Sequence, residues 1–298
     1  MSLVIVGSVA LDSVETPFGK TERALGGSAV FASVAAKNFC KTQIVGVVGD
    51  DFPEEHIDFL RENDICLKGL TKQAGKTFSW SGIYNDLNRA ETLETNLNVF
   101  ADFDPQLCPE YQESEFLFLG NIDPVLQMNV LRQMKNPKIT ACDTMNFWIE
   151  RKKQELLEVI ENINILFINE DEIRMLTEEE NIYIAAKKCK QLGPDYIIIK
   201  QGAYGSMVFG DEFLFFAPAY PLEKVIDPTG AGDSFAGGFM GYLAGSEEIN
   251  EQRIREAIIY GTVTASFNVQ AFSLEVLKTA DPEAILARAQ QIRNYVLF

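Results

Sequence analysis

Ile226-Asp-Pro-Thr-Gly-Ala-Gly-Asp-Ser-Phe-Ala-Gly-Gly-Phe239 joins an extended segment to an apolar helix through a glycine turn. Asp227-Pro228-Thr229 ends the extended part, Gly230-Ala231-Gly232 turns, and the helix is expected from Asp233 to Ala244. Glycines let the backbone turn sharply and let a ligand approach it closely. The first amides of a helix lack intrahelical acceptors and carry the positive end of its dipole. Gly230, Ala231 and Gly232 are therefore read as an anion hole, with the Asp233 carboxylate pointing into the same space. That pairing suits phosphoryl transfer to a hydroxyl: the amides and Mg²⁺ stabilise the moving charge, and Asp233 accepts the proton. The transition state is loose, so an aspartate of ordinary pKa would suffice. The plainer reading is a glycine-rich helix start with an N-cap aspartate. A dinucleotide fingerprint is excluded, because Phe235 stands where G-x-G-x-x-G needs its last glycine. Within the helix, Gly237, Gly238 and Gly241 each cost ~1 kcal/mol against alanine, which implies very close packing, expected against a sheet.

Working outward, short apolar runs alternate with helical patterns. Strands are expected at Leu3–Gly7, Gln43–Val48, Phe116–Leu119, Ile139–Cys142, Ile163–Ile168 and Tyr196–Lys200. They are apolar at nearly every position, as strands buried on both faces are. Helices are expected at Gly27–Phe39, Pro53–Asn63, Pro124–Met134, Trp148–Glu161 and Ile182–Leu192. The alternation predicts an α/β fold, a doubly wound, mostly parallel sheet with helices on both faces. Its ligand site would lie beyond the carboxyl ends of the strands. Two polar stretches, Ser13–Leu25 and Thr77–Val99, instead alternate with period two and read as half-exposed antiparallel strands. They are expected either to share one small sheet flanking the main domain or to form separate surface hairpins. Gly19-Lys20-Thr21 and Gly75-Lys76-Thr77 imitate the end of a phosphate loop, but Val14 and Leu70 occupy the place of its first glycine.

Composition narrows the function. The chain has 298 residues and a net charge of −17, so nucleic acid and anionic lipid are expected to be repelled. A polyanionic ligand would need a local site working against that field. One histidine, His56, at the start of a helix and expected to be solvated, disfavours Ser-His-Asp hydrolases and His-rich zinc sites. Five scattered cysteines without a CxxC are read as reduced core thiols. No signal-peptide pattern and no uncharged apolar run long enough to span a bilayer is found. A soluble, cytoplasmic protein is expected.

Asp227-Pro-Thr-Gly-Ala-Gly-Asp-Ser-Phe-Ala-Gly-Gly-Phe239 closely resembles the C-terminal signature of the PfkB, or ribokinase-like, carbohydrate kinases. Other segments resemble the family in order: Gly7-Ser-Val-Ala-Leu-Asp12, the di-glycine segment Gly26-Gly27-Ser28-Ala29, Val45-Gly-Val-Val-Gly-Asp50-Asp51, Asn169-Glu-Asp-Glu172 and Ile199-Lys-Gln-Gly-Ala-Tyr-Gly205. The resemblance covers essentially the whole chain and makes the two polar stretches, at about 13–25 and 77–99, a β-lid inserted in a single kinase domain. It implies that Asp12, with Gly26 and Gly27, binds acceptor hydroxyls. It implies that Asn169, Lys200, Gly202, Gly205 and Thr229 serve the nucleotide, and that Glu172 acts on Mg²⁺ through water.

Each of these positions also has a reading of its own. Asp12 is expected to end the first strand, and Gly27 to let a substrate approach the backbone. Asn169 with Glu172 is equally a helix capping box. Lys200 ends an apolar strand, a costly place for a charge without a partner, and an ATP phosphate is the partner expected in preference to a structural carboxylate. In one place the chain departs from the family: sugar kinases usually carry an Asn where Phe31 stands. Phe31 either faces an apolar part of the substrate, as a nucleoside base would provide, or packs in the core.

The expected protein is an ATP- and Mg²⁺-dependent kinase, with a monovalent cation as a further candidate cofactor, acting on a hydroxymethyl group of a sugar or sugar-like alcohol. A nucleoside kinase on the same fold is the alternative. A vitamin or hydroxymethylpyrimidine kinase and a non-catalytic sugar sensor rank lower. A homodimer through the lid is expected, because the alternating apolar face of Thr77–Tyr84 calls for cover.

Overall fold

The computed structural model describes every residue except 88 and 298. Its strands are β1 (Ser2–Val6), β2 (Ala10–Thr16), β3 (Gly19–Gly26), β4 (Lys41–Val48), β5 (Cys66–Lys72), β6 (Ser79–Asp86), β7 (Arg89–Asn96), β8 (Phe116–Leu119), β9 (Ile139–Asp143), β10 (Ile165–Asn169), β11 (Tyr196–Lys200), β12 (Ser206–Phe209) and β13 (Leu214–Ala217). Its α-helices are α1 (Ser28–Ala36), α2 (Glu54–Glu62), α3 (Pro109–Gln112), α4 (Pro124–Leu131), α5 (Asn146–Arg151), α6 (Lys153–Ile160), α7 (Glu170–Thr177), α8 (Ile182–Lys190), α9 (Ala231–Gly245), α10 (Glu251–Asn268) and α11 (Pro282–Val296).

The main sheet has nine strands in the order β13-β12-β11-β10-β9-β8-β1-β4-β5. All neighbours run parallel except at β11–β12 and β12–β13. Alternation along β1 shows why both faces carry helices. Leu3 and Ile5 enter a core with α1, α9 and α10, while Val4 and Val6 enter a second core with α6, α7 and α8. The strands apolar at every position are the interior ones, as residues facing two helical layers must be. The edge strand β5 (Cys66-Leu-Lys-Gly-Leu-Thr-Lys72) has mixed polarity and gave no such signal. The helix expected over 148–161 is two, α5 and α6, broken at Lys152, whose ammonium reaches Asp123 at 2.6 Å.

β2 and β3 from the first polar stretch and β6 and β7 from the second share a four-stranded sheet, β3-β2-β6-β7. Its two outer pairs are antiparallel, but the central pair β2–β6 is parallel, which period-two alternation cannot reveal. β2 emerges from the carboxyl end of β1. A Cβ on the intervening Gly7 would press on Ser28 Oγ and the Ala29 amide, so the chain leaves the main sheet where α1 begins. Asp12 therefore lies within this smaller sheet and does not end the first strand.

Gly237, Gly238 and Gly241 of α9 meet helices, not the sheet. A Cβ on Gly237 or Gly241 would collide with Ala32 or Ala36 of α1, and one on Gly238 with Thr264 of α10. The helix backbones approach so closely that no side chain fits between them. Of the cysteines, Cys142 and Cys189 are buried and the other three half-buried, all as free thiols. His56 is half-buried with its ring edge-on to Phe52. No described helix is long and apolar enough to cross a membrane.

Candidate active site

Gly230 is the N-cap of α9 and has φ 75°, a backbone that L side chains rarely adopt. A Cβ there would collide with the Phe31 ring. Phe31 is 2% exposed and belongs to the core. It lies under the turn as its support and does not line an open pocket, because α1 runs beneath α9 and presents the ring to Gly230. The Ala231 N–H is taken by the Pro228 carbonyl at 3.1 Å, which removes Ala231 from the anion hole. Among the described residues, the amides of Gly230 and Gly232 have no acceptor. The turn is held by Thr229 N–H donating to Asp227 Oδ1 at 2.9 Å and by Asn268 Nδ2 donating to the Thr229 carbonyl at 2.7 Å.

Asp233 sits in the first turn of α9 and is not its N-cap. Burial pushes its carboxyl up to about 7; Asp143 adds to the rise and Lys200 opposes it. This is far from an ordinary aspartate, and it places the group close to neutral pH, where a general base works best.

Lys200 does not await a phosphate for its partner. Its ammonium donates to both carboxylate oxygens of Asp143, at 2.7 and 2.6 Å. Asp143 ends β9 as Lys200 ends β11, two strands away in the same sheet. Burial opposes the Lys200 charge, but Asp143 and Glu172 outweigh it and raise its pKa. A Cβ on Gly232 would lie 3.2 Å from Lys200 Nζ, so the ammonium also faces the first turn of α9. Asp143 went unnoticed in the sequence, although it follows the apolar run Ile139–Cys142, the same strand-end position that singled out Lys200.

Asn169 and Glu172 form the capping box of α7: Glu172 N–H donates to Asn169 Oδ1 and Asn169 N–H to Glu172 Oε2, each at 2.8 Å. Burial raises the Glu172 carboxyl to about 7, with Lys200 lowering it and Asp143 raising it. Gly202 and Gly205, both with positive φ, shape the turn between β11 and β12. Gly205 has its missing side chain's space filled by the Ala217 carbonyl.

Across the crevice, the di-glycine segment packs closely against protein atoms. A Cβ on Gly26 would collide with Asp12 Oδ2, and one on Gly27 with the Ser8 carbonyl. The Gly27 backbone amide favours the charged form of the Asp12 carboxylate. Burial raises that carboxyl to about 7 against the help of Gly27, and Asp227 and Asp233 push it further. Asp12 thus shares one electrostatic space with Asp233. Tyr84, from β6, closes the space: its hydroxyl lies 3.3 Å from Thr229 Oγ1. Burial raises its pKa to about 12, and Asp227, Asp12 and Asp233 add to the rise. The face of Thr77–Tyr84 expected to seek a partner is therefore turned inward, with Tyr84 only 9% exposed.

Comparison with known proteins gives a consistent picture. The model of the pfkB family of carbohydrate kinases matches residues 3–281. A protein named cytidine kinase, from Thermococcus kodakarensis, is 31% identical over 252 residues, covering 82% of this chain and 90% of that protein. One named nucleoside kinase, from Methanocaldococcus jannaschii, is 26% identical over 83% of this chain and 79% of its own length. The crystal structure of a fructokinase from Vibrio cholerae superposes with a TM-score of 0.82 at 18% identity, covering 97% of this chain and 98% of its own, which shows a shared fold.

Proposed function

The chain belongs to the pfkB family of carbohydrate kinases, and from that premise we propose that it transfers the γ-phosphoryl group of ATP to a hydroxymethyl group of a nucleoside. The observation that carries this reading is the crevice at the start of α9, where the unpaired amides of Gly230 and Gly232, the Lys200 ammonium and the Asp233 carboxylate meet opposite Asp12. Asp12 accepts hydrogen bonds from vicinal ribose hydroxyls. Asp233 takes the proton of the attacking hydroxyl, and the amides stabilise charge on the transferring group. Lys200, already held by Asp143, adds positive charge at that turn. Thr229, Gly202 and Gly205 shape the backbone beside the nucleotide.

Mg²⁺ fits at Glu172, a buried carboxylate with one oxygen left over from capping. Among the described residues no three acidic, histidine or cysteine side chains gather as a cage, so water and phosphate would complete the ion's shell. When bound, the ion neutralises charge on the phosphates. A monovalent cation is a further candidate cofactor, with the buried, unpartnered Asn268 Oδ1 as one oxygen available to it.

One observation favours a nucleoside: the relatives named cytidine kinase and nucleoside kinase. A free sugar is the second reading, since Asp12 would recognise vicinal hydroxyls in either. We place the enzyme in the cytoplasm, with ATP and free thiols. The homodimer rests on a different ground from the inner lid face: Leu93, 62% exposed, lies on β7, whose outer edge has no partner strand among the described residues. Sedimentation as a monomer at micromolar concentration would contradict it. A coupled ADP-release screen over pentoses, hexoses, their phosphates and nucleosides tests the activity. Turnover of nucleosides above all others is expected, and no turnover of any overturns the proposal in favour of a non-catalytic sensor.

A further inference from the structure

Alternation along β6 puts Trp80, Gly82 and Tyr84 on one face of the small sheet. Trp80 is the register partner of Asp12 across the parallel β2–β6 pair, so indole and carboxylate stand side by side on that face. Asp12 and Tyr84 are both buried there, and Tyr84 reaches Thr229. The face is thus the roof of the crevice already described.

Trp80 does not stand upright on the sheet. A Cβ on Gly82 would collide with Cη2 and Cζ2 of the indole, so the six-membered ring lies flat over bare glycine backbone. The polar edge is tied down as well: Nε1 donates to Thr92 Oγ1 at 3.2 Å, and Thr92 is the register partner of Gly82 on β7. One face of the ring is covered by Gly82. Among the described residues no aromatic ring stacks on the other, and the side chain remains half-exposed. A large apolar ring, laid flat and hydrogen-bonded in that orientation beside a hydroxyl-binding carboxylate, is preorganised to take a second planar group.

We propose that Trp80 is the stacking platform for the heterocyclic base of the acceptor, and that Gly82 is the residue that lets the indole lie flat. The proposal deepens the nucleoside reading and rests on it. Asp12 holds the ribose hydroxyls while the base lies on the indole, so sugar and base are recognised by neighbouring strands of one sheet. Stacking is tolerant of base identity because every base has a π-face. The platform therefore selects for the presence of a base, not for a particular one.

The test compares the wild type with Trp80→Ala, Trp80→Phe and Gly82→Val, measuring KM and kcat for cytidine, adenosine and free ribose. Loss of a base–aromatic contact corresponds to a rise of about 10- to 100-fold in KM for both nucleosides, with kcat little changed and ribose kinetics unaltered. Trp80→Phe should recover most of the loss, and Gly82→Val should reproduce it by lifting the ring. An equal KM rise for ribose and nucleosides, or a nucleoside KM within twofold of wild type in Trp80→Ala, overturns the platform. A Trp148→Phe background leaves Trp80 as the single indole, and nucleoside binding should quench it. Quenching without turnover overturns the phosphotransfer reading and keeps the platform. Turnover without quenching does the reverse, and a wild type that neither binds nor phosphorylates nucleosides overturns both.

Discussion

Asp12→Asn should make the unliganded protein more stable above neutral pH and a worse enzyme. The carboxyl is buried, 8% exposed, and its pKa is raised from 3.8 to about 7 by burial, against the Gly27 N–H and with the help of Asp227 and Asp233. A raised carboxyl binds its proton more tightly in the folded than in the unfolded chain. Stability therefore falls as pH rises between the unfolded and folded values, and the penalty is complete above about pH 7. At 1.36 kcal/mol per unit, the ionised Asp12 costs the empty protein on the order of 4 kcal/mol. Asparagine keeps the shape but never ionises, so it removes that cost. Urea unfolding midpoints without ligands should show no gain at about pH 4, before the penalty begins, and a gain of ~2–4 kcal/mol at about pH 8. The same substitution weakens the grip on acceptor hydroxyls by ~1–3 kcal/mol, read as a rise of about 5- to 150-fold in acceptor KM with ATP KM unchanged. An equal stability change at both pH values refutes the buried-carboxylate argument. Unchanged acceptor kinetics removes Asp12 from the site.

Asp233→Asn should lower turnover by ~10²–10⁴ with ATP binding little changed, and less than a tenfold loss would sink its role as base. In the wild type, kcat/KM should fall as pH drops below about 7, because a protonated Asp233 cannot accept the hydroxyl proton; a profile flat from pH 6 to 8 contradicts this. Lys200→Met strands the buried Asp143 carboxylate and should destabilise the fold by ~3–5 kcal/mol, seen in thermal and urea melts. Adding Asp143→Asn should restore much of that, and a fully stable single variant would show that the pair is not structural. Phe31→Asn should cost ~3–5 kcal/mol by opening a void under Gly230, without shifting preference among acceptors; a changed preference at wild-type stability would put the ring in the pocket after all.

The turn and helix start around Asp233 were legible in the sequence because their parts are neighbours in the chain. Asp227 to Phe239 contains the turn, the helix start, the free amides and the carboxylate, and backbone preference brings such close residues together whatever the rest does. The doubly wound sheet was legible for a similar reason. A strand buried on both faces must be apolar throughout, as Ile165–Ile168 and Ile197–Ile199 are. The edge strand β5 escaped because half-exposure dilutes that signal.

Only the tertiary structure decided what meets what at a distance. Asp143 claims Lys200 from 57 residues away, because β9 and β11 end at the same edge of one sheet. The chain leaves that sheet after β1, so Asp12 belongs to the small four-stranded sheet and stands beside Trp80. Phe31 lies under Gly230 because α1 runs beneath α9, and Gly237 and Gly241 face α1 for the same reason. Local preferences act between residues a few positions apart. Charge compensation, close helix approach and the orientation of a ring depend on groups that meet only once the sheets and helices have assembled.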